Sequence, residues 1–377
     1  MIYADYAATT PLDSRVLDAM LPFLREDFYN ASALYPAARQ VRAAVENARA
    51  QVAALIGCES DEIIFTSGGT ESDNLAIKGI ALHPSQTKRH IITSSIEHHA
   101  LLESCAWLER FGFSVTCLPV DRYGRVSPDE LAAAMTSDTF LVSVMWVNNE
   151  LGTVQDIPAL AAVAHRGGAL FHTDIVQALG TQRVSARDCG ADLMSLSSHK
   201  IYGPKGMGAL YVKRGTPLSQ IQNGGQQEDY LRGGTENTAG IVGFGEAARL
   251  LALEREEMLP QLRRWKEMLL QAASGWEGVL VDSPLDCTAD SVIHLAFRDV
   301  EAEGMLFWLS QRGVQVSMGS ACNTKSVEPS HVVRAIGLPP EYARGAMRIS
   351  LGRGMTDEKM GGLIAAIHDI MNQMRGA

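Results

Sequence analysis

The first two-thirds of the chain alternates two kinds of hydrophobic pattern. Short apolar runs of strand character fall at Ile63–Thr66, His90–Ser94, Val115–Val120, Phe140–Met145, Ala169–Thr173, Leu193–Leu196 and Gly208–Val212. Helical spacing between several of them predicts helices over Thr70–Ala81, Ala100–Arg110, Pro128–Met135 and Ile157–Arg166. Apolar strands separated by helices predict an α/β fold whose seven-stranded sheet is mainly parallel, with helices on both faces. Beyond residue 238 the pattern changes. Thr238–Ala273 reads as one long helical stretch interrupted near Pro260. Strands follow near Val292–Phe297 and Met347–Ser350, with helices near Glu301–Gln311, Ser330–Ile336 and Asp357–Met374. The expected organisation is a large domain over 1–250 and a smaller α+β domain over 251–377. The segment 1–12 is too short to fold alone and is expected to pack on one of them, the small domain being the candidate.

Composition narrows the classes. With 377 residues, 46% hydrophobic and 20% charged, the chain has ample core and is neither disordered, collagenous nor a coiled coil. Lys plus Arg total 33 against 43 Asp plus Glu, a net charge of −10, so direct nucleic-acid binding is not expected. No stretch reaches the roughly 20 apolar residues of a membrane helix. The start, MIYADYAATTPLD, has neither the basic head nor the apolar run of a secretory signal. Six cysteines, none in a C-x-x-C pair, read as reduced thiols rather than a disulfide frame or zinc site, and the expected location is cytoplasmic.

Several runs at strand ends can carry chemistry. Ile63-Ile64-Phe65-Thr66-Ser67-Gly68-Gly69-Thr70-Glu71 reads as strand, glycine turn and helix. Amides at that helix N-terminus and the Thr70 hydroxyl suit a phosphate, while a plain tight turn with Thr70 as N-cap fits the same residues. Ser197-Ser198-His199-Lys200 follows an apolar strand. A lysine desolvated in a crevice there becomes a nucleophile toward a carbonyl; a surface lysine in a turn is the plainer reading, and Lys205 competes for the role. His172-Thr173-Asp174, with Gln177, sets a carboxylate where open α/β sheets bind ligands. Asp174 there either holds a pyridinium proton or caps the next helix. Glu97-His98-His99 lacks the i, i+4 spacing of a zinc pair, leaving an imidazole to stack on an aromatic cofactor or to serve structurally. Asn149 follows another strand and can donate to a ring oxygen or a carboxylate. Arg348, on a strand, can clamp a carboxylate bidentately or make a surface ion pair. Cys322 lies among small residues in Val316–Thr324, which suits an accessible reactive thiol, with a buried Cys on a tight turn as the alternative. The other five cysteines read as inert.

Taken in order, T-S-G-G-T-E-S-D-N, E-H-H, V-N-N-E-L-G, H-T-D-I-V-Q, S-S-H-K-I-Y-G-P-K-G, R-G-G-T-E-N-T and G-S-A-C-N-T-K-S-V-E-P-S resemble the cysteine desulfurases. These are pyridoxal phosphate enzymes of the class V aminotransferase group, with fold type I architecture. The resemblance runs from Asp5-Tyr6-Ala7-Ala8-Thr9-Thr10 to Leu351-Gly352-Arg353. The form around Cys322 resembles the group I branch, which feeds iron–sulfur cluster assembly and thiolation. The resemblance implies that pyridoxal phosphate is the cofactor and that Lys200 carries it covalently and takes the substrate α-proton. It implies that His98 stacks on the ring, Asp174 pairs with the ring nitrogen and Gln177 bonds the ring oxygen. Thr70, Ser197 and His199 are implied to hold the phosphate. Thr235 is implied to reach the phosphate of a neighbouring subunit, hence a homodimer. Asn149 and Arg348 are implied to bind the carboxylate of L-cysteine, and Asn30 to be a further substrate contact. Cys322 is implied to attack the substrate sulfur, giving alanine and a persulfide that passes to a protein sulfur acceptor.

The chain departs from the family at one segment. The family pattern G-N-P-x-S-x-x-H reads here as Tyr29-Asn30-Ala31-Ser32-Ala33-Leu34-Tyr35-Pro36, with the His position on Pro36. That change leaves room for a selenocysteine lyase or another β-lyase on the same scaffold. The chain stops soon after its last helix, from which a different acceptor interface is expected. A non-catalytic assembly scaffold is the reading from another class, and the intact Lys200, Asp174, His98 and Cys322 argue against it.

Overall fold

The computed structural model describes residues 1–319 and 328–375. In chain order its elements begin with β1 (Ile2–Tyr3), α1 (Ser14–Arg25), α2 (Pro36–Ile56), β2 (Ile63–Thr66), α3 (Gly69–Ala81), β3 (His90–Ser94), α4 (His99–Glu109) and β4 (Ser114–Leu118). Next come α5 (Pro128–Ala134), β5 (Thr139–Ser143), α6 (Ile157–Arg166), β6 (Leu170–Asp174), β7 (Leu193–Ser197), β8 (Gly208–Val212) and α7 (Thr238–Ala273). The remainder is β9 (Val279–Val281), β10 (Val292–Phe297), α8 (Ala302–Gln311), β11 (Val314–Gln315), α9 (His331–Ala335), α10 (Pro340–Ala343), β12 (Ala346–Ser350) and α11 (Asp357–Arg375).

The seven-stranded sheet has the order β2-β8-β7-β6-β5-β3-β4. Its central pairs are parallel, and β8 alone runs the other way, antiparallel to both β7 and β2. All five residues of β3, β5 and β7 are buried, as a sheet covered on both faces requires. The apolar runs therefore sit where the sequence puts them, with strand ends moved by one or two residues.

One core is built from residues between Val16 and Ala289, with Phe171, Met194 and Phe244 at its centre. A second core joins Ala4 to Leu262, Trp265, Ile293, Met347 and Leu363 around the antiparallel sheet β12-β10-β9. The N-terminal segment belongs to this second core. β1 pairs in parallel with β11, and Asp5 bridges to Ser350. Past that bridge the chain crosses to the large sheet, where the Thr10 N–H donates to the His199 carbonyl.

One expectation is corrected. The interruption at Pro260 is absent, and α7 is a single helix of 36 residues. A proline removes one i→i−4 bond, and here Glu256 and Pro260 are both exposed, which leaves the freed carbonyl open to solvent. Leu250 and Leu251 on one side and Leu262, Trp265 and Leu269 on the other bury both halves and hold the rod. The segment read only as a departure from the family pattern leads into α2. Pro36 opens that helix at N1, and Gly57 closes it in the left-handed conformation at φ 70°.

Candidate active site

Because β2, β3, β5, β6 and β7 point the same way, their C-terminal ends share one edge of the sheet, where open α/β folds bind ligands. Gly69 and Thr70 follow β2, His98 follows β3, Met145 follows β5, Asp174 ends β6, and Ser197, His199 and Lys200 follow β7. All of them line one cavity of about 260 Å³, together with Gln177, Asn149, Arg348, Asp73, Ala7 and Ala8.

The glycine turn is shaped by close approach. A Cβ on Gly208 would lie 2.6 Å from Gly68 Cα and from the Leu196 carbonyl oxygen, so only glycine lets β8 pass beneath the turn. Gly68, not Thr70, occupies the N-cap position of α3, which leaves the Thr70 hydroxyl within the first helical turn. The Glu71 carboxylate accepts the Ser67 N–H at 2.8 Å and pairs with Arg232 at 2.9 Å. Neither Thr70 nor Ser197 makes a side-chain hydrogen bond among the described residues, and both line the cavity into which the first turn of α3 runs.

His98 is the N-cap of α4. Its Nδ1 accepts the Ala100 N–H at 3.1 Å, which puts the ring proton on Nε2. Burial, with the Lys200 charge adding to it, lowers its pKa to about 4. The imidazole is thus neutral and flat at working pH. His199 is lowered to about 4 in the same way, by burial and then Lys200, and its Nδ1 meets Thr9 Oγ1 at 3.0 Å. Asp174 does both things its position allows. Its Oδ1 caps the turn by accepting the Val176 N–H at 2.8 Å, and the carboxyl also lines the cavity. Burial raises its pKa to about 6, against the opposing charge of Lys200. Asp73, fully buried on α3, is pushed well above the usual carboxylate range by burial and then by Asp174.

Lys200 Nζ donates to the carbonyl oxygens of Ala7 and Ala8, the latter at 2.9 Å. Gln177 Nε2 donates to the Ala7 carbonyl at 2.9 Å. Arg348 is buried, with Nη1 on the Asn149 carbonyl at 2.9 Å and Nη2 on Asp5 Oδ1 at 2.8 Å. The N-terminal segment is therefore a wall of the site, which sequence reasoning missed. Asp73 was missed as well, although its place three residues after Thr70 puts both on one face of α3. Glu97 had gone unread beside His98. Its buried carboxylate accepts the Ser94 hydroxyl at 2.5 Å and the Met145 N–H at 3.0 Å.

Other predicted site residues lie elsewhere. Lys205 is exposed and outside the cavity lining, which separates it from Lys200. Thr235 is exposed and lines a different cavity of about 250 Å³ with Ser67 and Arg232. Asn30 is exposed, with its Oδ1 on the Ser32 N–H at 2.8 Å, and the fold does not bring it to the cavity of Lys200. Cys322 lies outside the described residues. Among the described residues no group of three His, Cys, Asp or Glu is arranged for a metal ion, and no helix is long and apolar enough to cross a membrane.

The lining suits pyridoxal phosphate. It offers hydroxyls at a helix N-terminus for a phosphate dianion, a buried carboxyl for a ring nitrogen, a flat neutral imidazole for a ring face and a lysine for an aldehyde. Close packing supports the fit: a Cβ on Gly69 would come within 2.9 Å of Val176 Cγ2, so this wall has no room for a side chain.

Comparison with known proteins agrees. The aminotransferase class-V family matches residues 2–363. The cysteine desulfurase IscS of Dictyoglomus turgidum is 45% identical over 375 residues, 99% of this chain and 95% of that protein. The cysteine desulfurase IscS of Methanosarcina thermophila is 44% identical, over 99% of this chain and 93% of that protein. Among solved structures, a NifS-like protein superposes with a TM-score of 0.93 at 34% identity, covering 99% of both chains. SspA in complex with cysteine gives a TM-score of 0.83 at 38% identity, covering 93% of this chain and 99% of that one. Shared by sequence, fold and cavity chemistry, these features place the chain in the class V aminotransferase family, among its pyridoxal phosphate-dependent cysteine desulfurases.

Proposed function

We propose that the chain converts L-cysteine to L-alanine, holds the released sulfur as a persulfide on Cys322, and passes it to a protein acceptor for iron–sulfur cluster assembly or thiolation. The observation that carries this reading is the convergence of Lys200, Asp174, His98 and Arg348 on one cavity. Pyridoxal phosphate supplies an electron sink for the bond broken next to the substrate carboxylate. Thr70, Ser197 and His199 would hold its phosphate, Asp174 its ring nitrogen and Gln177 its ring oxygen, and His98 would cover a ring face and exclude water.

The protein's own groups do the rest. Arg348 and Asn149 bind the carboxylate of cysteine. Lys200 Nζ takes the α-proton, and the carbonyls of Ala7 and Ala8 stabilise the ammonium that results. Cys322 attacks the substrate sulfur as a thiolate. An S–S bond forms and the Cβ–S bond breaks, its electron pair passing to Cβ; the proton that Cys322 gave up converts Cβ to a methyl group, and Lys200 Nζ returns its proton to Cα, which gives alanine. An acceptor thiolate then takes the outer sulfur. The reading includes a homodimer in the cytoplasm, with Thr235 serving the neighbouring subunit's phosphate. It also divides the chain into domains 1–250 and 251–377.

Purified protein should be yellow and bleach on borohydride reduction, with the label on Lys200 in the peptide map. A label on Lys205 sinks the assignment. In Cys322→Ala, cysteine turnover should fall to background with the yellow colour retained, and undiminished turnover rules out the persulfide route.

A further inference from the structure

We propose that Asp5 is a positioning residue for the substrate-carboxylate site: it holds the Arg348 guanidinium so that the unused donors face the cavity. The inference rests on the reading of Arg348 as the carboxylate clamp. The Arg348 side chain is only 2% exposed, and Asp5 is the one carboxylate it pairs with among the described residues. Its Nη1 and Nη2 are engaged by the Asn149 carbonyl and Asp5 Oδ1, and Nε has no partner among the described residues. Arg348 also lines the cavity, and each Nη carries a second N–H beyond these two bonds, which a substrate carboxylate can take.

Asp5 is itself fixed. The Ser350 N–H donates to the Ala4 carbonyl at 2.8 Å, and the Ala7 N–H donates to Ser350 Oγ at 2.8 Å, so the segment is stitched to β12 on both sides of Asp5. The Tyr3 hydroxyl donates to the carbonyls of Asp5 and Thr9, at 2.9 and 2.8 Å, and closes the turn. Burial, with the Asp5 charge adding to it, raises the Tyr3 pKa to about 12, so this donor keeps its proton. Asp5 sits two residues from Ala7, whose carbonyl holds Lys200 and Gln177. One short segment thus sets the clamp and the lysine together.

An alternative role is that of an internal competitor, which a substrate carboxylate must displace. The geometry opposes it. Such a stand-in would take the bidentate edge of the guanidinium, whereas Asp5 offers one oxygen to one Nη.

The test uses the pyridoxal phosphate-loaded enzyme and two ligands without an amino group, 3-mercaptopropionate and its amide, with calorimetry reading both affinities. The expected result is that the wild type prefers the carboxylate, and that Asp5→Ala reduces this preference about tenfold. Amide binding should be unchanged in the variant, which shows that the cavity is intact. Asp5→Asn keeps an acceptor at the same place and should restore part of the preference. With cysteine as substrate, Asp5→Ala should raise KM more than it lowers kcat. A preference unchanged within about twofold in Asp5→Ala, or a stronger one, overturns the proposal. Arg348→Ala separates the two readings. If it abolishes the preference while Asp5→Ala does not, only the role of Asp5 falls. If it leaves the preference intact, the clamp reading falls as well.

Discussion

Replacing Glu97 by Gln tests whether the carboxyl behind His98 is neutral in the folded protein. Glu97 is fully buried, and burial, with the Asp174 charge adding to it, raises its pKa to about 8 from 4.5, against the hydrogen bonds of Ser94 and Met145. A carboxyl whose folded pKa lies above its unfolded value gives stability that is present in full below pH 4.5 and is lost as pH rises through 8. Relative to a side chain that is always neutral, the loss is about 1 kcal/mol at pH 5 and about 4 kcal/mol at pH 8. Glutamine keeps the length, one acceptor for the Met145 N–H and no charge. The unfolding free energy of Glu97→Gln should therefore gain on the wild type by roughly 3 kcal/mol between pH 5 and pH 8. Urea titrations of the holoenzyme across that range, followed by tryptophan fluorescence, measure the difference. Parallel curves, with the gap changing by less than about 1 kcal/mol, would mean that Glu97 ionises like an exposed carboxyl and would refute the burial argument.

Two further outcomes follow from the packing. Lys266, buried on α7, donates to Thr288 Oγ1 and the Ala289 carbonyl, and burial lowers its pKa to about 8. A lysine whose folded pKa is lowered destabilises fully below pH 8 and not at all above its unfolded 10.5, so stability should rise across that window by about 3 kcal/mol. Lys266→Met should flatten that rise in denaturant titrations, and an unaltered slope refutes it. Gly208→Ala puts a Cβ 2.6 Å from the Gly68 backbone and should lower stability by about 3 kcal/mol while weakening cofactor binding, read by melting temperature and by pyridoxal phosphate titration. Wild-type values for both would show that the turn has slack.

Much of this arrangement is legible in the residues. Ile63–Thr66, His90–Ser94, Gly208–Val212, Ile157–Arg166 and Val292–Phe297 fall where their apolar spacing puts them. Local signals also set Asp174 and Lys200 at strand ends. The failures have physical causes. Pro260 is a local helix breaker overridden by burial of both halves of α7. Asn30 has a polar side chain that a nearby backbone N–H satisfies, and nothing in its identity tells that contact from a substrate contact.

The sequence by itself determined the parallel sheet, the long helix and the set of residues able to serve a cofactor. Period, turn chemistry and strand-end position are properties of a few neighbouring residues. Tertiary structure alone decided which of these residues meet. Asp5 and Arg348 stand 343 positions apart and share a hydrogen bond, and Ala7 and Ala8 supply backbone carbonyls that no choice of side chain announces. The carboxyls of Asp73 and Glu97 hold their protons more tightly than free carboxyls only because packing removes water from them. Burial and long-range proximity belong to the folded chain as a whole, so the chemistry that depends on them appears only there.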